Sequence, residues 1–142
     1  NCGTVVTVSS AAGLVGVARL TDYCASKWAA VGFDESLRAE LARQGSAVRT
    51  LVACPYYVNT GMFDGVRTRF PRLLPILEPA YVADRIVGAV ASGRRRLFMP
   101  RFVWATLAAR LLPTRAFDAV AGFFGINSSM DDFTGRRDRP PG

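Results

Sequence analysis

Apolar runs and longer periodic stretches alternate along the chain, and together they lay out its elements in order. Residues 3–10, Gly-Thr-Val-Val-Thr-Val-Ser-Ser, are β-branched and end in small polar residues, the pattern of a short strand. The Gly-punctuated stretch 11–16 follows as a loop. Residues 22–44 carry the best helical period. Ala29, Phe33, Leu37 and Leu41 fall on one stripe, Asp34 stands four residues before Arg38, and Gly45 is placed to end the helix. Residues 48–54 read as a buried strand that Pro55 closes. Pro79 opens a helix running to about Ala91, residues 95–99 form a short strand, and residues 102–112 form an apolar helix bounded by Pro113. Residues 136–142, with three arginines and two prolines, are expected to be a frayed tail. The alternation predicts an α/β fold, a doubly wound parallel sheet with helices on both faces.

Composition narrows the class. With 142 residues and 50% apolar side chains the chain has enough material for one core, and its mean hydropathy of +0.18 hints at contact with lipid. No apolar run reaches the roughly 18 to 20 residues of a spanning helix. Cys2, Cys24 and Cys54 are scattered, without the spacing of a metal site or a disulfide framework, and are read as packed, reduced thiols. The absence of histidine removes the commonest metal ligand and catalytic base, and no metal site is expected.

Charge is uneven. Residues 1–66 balance five basic against five acidic side chains, whereas residues 67–142 hold 13 arginines against six acids. Arg67, Arg69 and Arg72 flank Phe70, and Arg94, Arg95, Arg96 and Arg101 flank Phe98 and Phe102. Basic groups interleaved with rings suit an anionic membrane surface. No nucleic-acid motif accompanies them, so nucleic acid is not expected as a partner.

The chemistry concentrates at Ser10, Tyr23 and Lys27. Lys27 is the only lysine among 18 basic residues, which suggests a task that arginine's planar fork does not serve. Tyr23 and Lys27 are four apart on the expected helix and so share a face. An ammonium beside a phenol favours the phenolate and draws its pKa down towards working pH, which suits proton exchange with a substrate oxygen. Ser10, at the carboxyl end of its strand, is where open α/β sheets place ligand contacts.

The runs Val8-Ser9-Ser10-Ala11-Ala12-Gly13, Tyr23-Cys24-Ala25-Ser26-Lys27 and Pro55-Tyr56-Tyr57-Val58-Asn59-Thr60 resemble, in order and spacing, the catalytic half of the short-chain dehydrogenases/reductases. Leu20-Thr21-Asp22, Thr60-Gly61-Met62-Phe63 and Leu74-Pro75-Ile76-Leu77-Glu78-Pro79 look like the membrane-associated retinol dehydrogenase branch, which also tolerates the aromatic Tyr56 where many members carry glycine. The resemblance implies a Rossmann-type fold and a nicotinamide cofactor, NAD or NADP. It further implies that Ser10 hydrogen-bonds the substrate oxygen, that Tyr23 is the acid/base, and that Lys27 holds the nicotinamide ribose while lowering the Tyr23 pKa. Pro55, Val58 and Thr60 would border the cofactor. Residues 61–79 would be a substrate lid whose Met62, Phe63, Leu73, Leu74, Ile76 and Leu77 favour a lipid-like alcohol or ketone such as a retinoid.

The same resemblance implies a homo-oligomer through helix 22–44 and a peripheral position on the cytoplasmic side of a membrane, at the endoplasmic reticulum or lipid droplets in a eukaryote. Residues 1–100 would then be the C-terminal half of the dehydrogenase domain and residues 101–142 a helical extension. The glycine-rich turn that grips the pyrophosphate in this family, and its upstream asparagine, are not among these 142 residues. The chain is therefore expected to be part of a longer protein and to bind a dinucleotide poorly by itself. The alternative is a truncated, non-catalytic homologue that serves as an interaction or membrane-surface protein.

Overall fold

A computed structural model describes residues 2–135; the expected tail at 136–142 lies outside them. Three parallel strands, β1 (Gly3–Val8), β2 (Val48–Pro55) and β3 (Arg96–Met99), stand in the order β1-β2-β3. Gly3 is level with Val48 and Val8 with Ala53, while Val52 is level with Arg96 and Pro55 with Met99. Parallel neighbours need crossovers. Helix α1 (Thr21–Arg43) supplies the first and α2 (Pro79–Ala91) the second. Two short helices follow, α3 (Trp104–Ala109) and α4 (Thr114–Phe123).

The period-two alternation of β2 and β3 divides the core into two layers. Leu51, Ala53, Leu97 and Met99 point one way and pack with Val82 and Ala89 of α2. Val52, Cys54 and Phe98 point the other way and meet Val31 of α1 and Val103 and Leu107 near α3. Leu51, Val52, Ala53 and Cys54 are all at most 1% exposed, so β2 is covered on both faces. Burying a side chain the size of Leu51 stabilises the fold by about 1.5–3 kcal/mol. β1 is barer. Among the described residues it pairs only with β2, and Val5, Val6 and Val8 remain exposed.

The helix expected over 22–44 is present, and Gly45 ends it with φ +63, a value that favours glycine, while Ser46 N–H returns to the Leu41 carbonyl at 2.9 Å. Its inward stripe differs from the expected one. Ala29 and Phe33 face solvent, with Phe33 57% exposed, and the buried positions are Cys24 and Asp34, with Val31 half-buried between them. In this rotation the Thr50 hydroxyl on β2 donates to Asp34 Oδ2 at 3.4 Å, and a carboxylate that periodicity assigned to the surface lies in the interface.

Residues 124–135 fold back across the molecule. Met130 is 1% exposed, Arg19 donates to the carbonyls of Met130 and Asp131 at 3.2 Å each, and Thr134 N–H reaches the Asp64 carbonyl at 3.0 Å. The irregular segment 61–79 is thereby held at one end of the sheet. Among the described residues no helix is long and apolar enough to cross a membrane.

Candidate active site

The site forms where β1 ends. Ser9 N–H continues the ladder to the Ala53 carbonyl at 2.8 Å, and the chain then turns through a 3-10 segment, Ala11–Gly13. Ser9 Oγ donates to the Lys27 carbonyl of α1 at 2.8 Å. A Cβ at Gly13 would lie 2.6 Å from Ser9 Oγ and 2.7 Å from the Lys27 carbonyl oxygen, so only glycine lets the turn lie directly on the helix backbone. This contact fixes α1 in rotation relative to Ser10.

Ser10 Oγ, 8% exposed as a residue, accepts from Ala12 N–H at 3.2 Å and donates to the Pro55 carbonyl at 3.4 Å. The half-buried Tyr23 shares a hollow with Ser10, whose side chain acts on its phenol, and its ring stands edge-on to Phe63 at 5.5 Å. Lys27 Nζ lies over the Tyr23 ring at 5.5 Å from its centroid and donates to the Val8 carbonyl at 3.5 Å, a long contact that leaves most of its donor capacity for another acceptor. Sequence-expected Ser10, Tyr23 and Lys27 are thus brought together, with Pro55 against Ser10.

One electrostatic expectation is corrected. Burial pushes the Tyr23 phenol above its ordinary value, and the neighbouring Ser10 side chain only partly opposes this. Lys27 does not draw it down in this structure, so Tyr23 stands as a protonated donor.

The loop after Pro55 is held by a parallel bridge between Val58 and Leu77. Leu77 N–H donates to the Tyr57 carbonyl and Asn59 N–H to the Leu77 carbonyl, both at 2.8 Å. By alternation the N–H of Val58 is directed away from Leu77. A cofactor amide fits that arrangement, and a ribose fits the donor capacity of Lys27. Val58 is half-buried and Thr60 exposed at the following turn.

Two hollows meet here. One, of about 360 Å³ with its solvent-open part, is bounded by Ser10, Tyr23, Tyr57, Phe63 and Ser129. The other, of about 590 Å³ with its solvent-open part, runs between α3 and α4 past Phe102, Ala105, Phe117, Ala121 and Phe124. Ala11, Val15, Tyr56 and Ile126 line both, so they share a wall. Of the six expected lid residues, Phe63 lines the first and Leu74 the second; Met62, Leu73 and Ile76 are exposed, and Leu77 packs in the core.

Comparison with known proteins decides the family. The sequence profile described as short chain dehydrogenase matches residues 1–70. Epidermal retinol dehydrogenase 2 of Mus musculus is 40% identical over 139 residues, 96% of this chain and 45% of that protein. The chain belongs to the short-chain dehydrogenases. Short-chain dehydrogenase/reductase family 16C member 6 of Bos taurus is 42% identical over 138 residues, covering 96% of this chain and 44% of that one. This short-chain dehydrogenase chain therefore spans less than half the length of these relatives. Two solved structures share its Rossmann-type fold, each with TM-score 0.62. A short chain dehydrogenase from Burkholderia cenocepacia in complex with NADP is 24% identical and covers 87% of this chain and 48% of its own; one from Burkholderia phymatum in complex with NAD is 19% identical and covers 99% and 52%.

Sequence reasoning passed over several residues of this short-chain dehydrogenase site. Ser9 reads as an ordinary turn serine, yet it anchors α1. Tyr57 is 8% exposed and its hydroxyl shares a hydrogen with Ser129 Oγ at 2.9 Å, a pairing across 72 positions that no local pattern announces. Ile126, Ser129 and the α4 residues reach the site only through the fold-back of the chain's end.

Burial also raises the Cys54 thiol from about 9 to about 11 and the Tyr56 phenol from 10.0 to about 12. Both are neutral when folded and ionise earlier when unfolded, so the stability they contribute is full below about pH 9 and is lost as pH rises through about 11 and 12. Urea midpoints are expected to hold steady up to about pH 9 and then fall, with Cys54→Ala removing the earliest part of the decline. A midpoint that stays flat to about pH 12 contradicts this assignment.

Proposed function

We propose that the protein carrying this chain is a nicotinamide-dependent oxidoreductase that interconverts an apolar, lipid-like alcohol, such as retinol, and its carbonyl. The observation that carries the reading is the paired hydroxyls of Ser10 and Tyr23 in a hollow that shares a wall with an apolar gallery. Two polar groups fix an oxygen while the gallery accepts an apolar chain, the usual division of labour in small-molecule sites. The relatives named retinol dehydrogenase support the substrate class, and the neighbours in complex with NAD and NADP support the cofactor.

Lys27, the Val58 backbone and the Pro55 and Thr60 flanks would hold the nicotinamide nucleoside. When bound, that cofactor gives or takes the hydride. Ser10 Oγ orients the substrate oxygen by hydrogen bonding. Tyr23 gives its proton to that oxygen in reduction and accepts it in oxidation, a role that the raised pKa suits in the reducing direction. Tyr57, Phe63 and Tyr56 exclude water from the exchange.

The fold supports residues 1–100 as the dehydrogenase part and residues 101–142 as an extension, of which residues between Phe102 and Ile126 wall the gallery. Association through α1 is supported by Phe33, which is 57% exposed beside the exposed Ala29 and Gly32. A peripheral position on a membrane is supported by the arginine excess of the second part.

Three outcomes test these statements in the protein as its source produces it. Tyr23→Phe keeps the ring and removes the proton, so turnover is expected to fall by about 10²–10⁴ with the fold intact; normal turnover excludes the acid/base role. Ala121→Trp fills the gallery and should lower kcat/KM for a long apolar alcohol by about tenfold or more while sparing a short one; equal effects on both refute the gallery as the chain's seat. Phe33→Asp should shift sedimentation towards the monomer, and an unchanged sedimentation coefficient removes α1 as the interface.

A further inference from the structure

The arginines late in the chain are sorted by strand geometry. Side chains alternate on approach to β3, so Arg94 and Arg96 line one hollow while Arg95 lines another with Arg38 and Arg49. Arg85 from α2 and Arg101 from the turn after β3 join Arg94 and Arg96, with Phe98 and Trp104 completing the wall. The space is about 730 Å³ including its solvent-open part. It follows the edge of β3 that has no neighbouring strand among the described residues. The Arg95 and Met99 carbonyls accept from Val52 and Tyr56 of the β2 side, so the backbone N–H groups of Arg96 and Phe98 turn towards that open edge.

Few acids balance these guanidinium groups. Arg96 Nη2 meets Glu35 Oε1 at 2.6 Å, and Asp84 lines a smaller hollow that also touches Arg85 and Arg94. Among the described residues Arg85, Arg94 and Arg101 make no ion pair, and all three are exposed. Like charges gathered around one concavity repel one another and focus a field that draws in an anion. Guanidinium forks match phosphate oxygens bidentately.

We infer that this hollow at the β3 edge binds a multiply charged phosphate group, presented by the headgroup of an anionic lipid. Trp104, 46% exposed at the rim, favours the lipid source, because an indole with one wet and one apolar side settles at the bilayer interface. The site is separate from the hollow of Ser10 and Tyr23 and does not depend on the catalytic reading. It gives the protein an orientation on a membrane, with the β3 edge towards the headgroups.

The test is vesicle flotation of the protein as its source produces it. Phosphatidylcholine vesicles are compared with vesicles that also carry phosphatidylinositol bisphosphate. Binding is expected to the second only, and the triple variant Arg85→Gln, Arg94→Gln, Arg101→Gln should weaken it by about a hundredfold. The control triple Arg38→Gln, Arg49→Gln, Arg95→Gln removes the same charge from the other hollow and should cost far less. Equal loss from the two triples would show diffuse attraction to charge and overturn the site, as would equal binding to both vesicle types with no binding of inositol hexakisphosphate. Calorimetry with soluble inositol hexakisphosphate separates the sources. Heat abolished by the first triple without any vesicle binding keeps the phosphate site and rejects the lipid. Should the triple fail to fold, Arg85→Gln and Arg94→Gln singly are expected to weaken binding about fivefold each.

Discussion

The site depends on one close approach, the turn after β1 lying against the backbone of α1. Ser9 Oγ on the Lys27 carbonyl, with no room for a Cβ at Gly13, sets the rotation and height of the helix against the end of the strand. The candidate site follows from that setting. Lys27 returns to the Val8 carbonyl, Tyr23 falls one turn earlier beside Ser10, and Ser10 spans to Pro55 at the end of β2. A helix turned by one residue, about 100°, would take Tyr23 away from Ser10. The same setting turns Asp34 inwards to Thr50 and leaves Phe33 outside.

A second level of organisation comes from the end of the chain. Arg110, between α3 and α4, donates to the Leu14 carbonyl at 3.1 Å and stacks over Trp28 at 4.4 Å, tying the helical extension to both the catalytic turn and α1. Arg19, at φ +68, a region non-glycine residues seldom occupy, reaches the Met130 and Asp131 carbonyls. The gallery between α3 and α4 is thus walled by elements anchored to the same turn that positions Ser10. The two hollows are coupled through packing.

Local pattern made much of this legible. The β-branched run of β1, the apolar run of β2, Pro79 at the start of α2, and the Ser10, Tyr23 and Lys27 spacing each express a short-range rule, and each is present in the structure. The misread features are long-range. Asp34 looked like half of a surface pair because its partner Thr50 lies on another element, and Phe33 looked buried because periodicity cannot tell which of two apolar stripes a sheet will cover. The Tyr23 pKa was misjudged for a related reason. Spacing gives the distance to Lys27 along a helix, whereas burial is a property of the assembled fold and sets the direction here. Tyr57 with Ser129, and α4 with the gallery, required the chain to double back across more than 70 positions.

The central claim is that one ligand spans both hollows, oxygen at Ser10 and Tyr23 and apolar chain between α3 and α4. A crystal structure of the full protein with a nicotinamide cofactor and a long-chain alcohol tests it most directly. The account predicts the alcohol oxygen within hydrogen-bonding distance of both Ser10 Oγ and the Tyr23 hydroxyl, with the chain passing Tyr56 and ending near Ala121. An oxygen held elsewhere, or a chain lying outside the α3–α4 gallery, would contradict it.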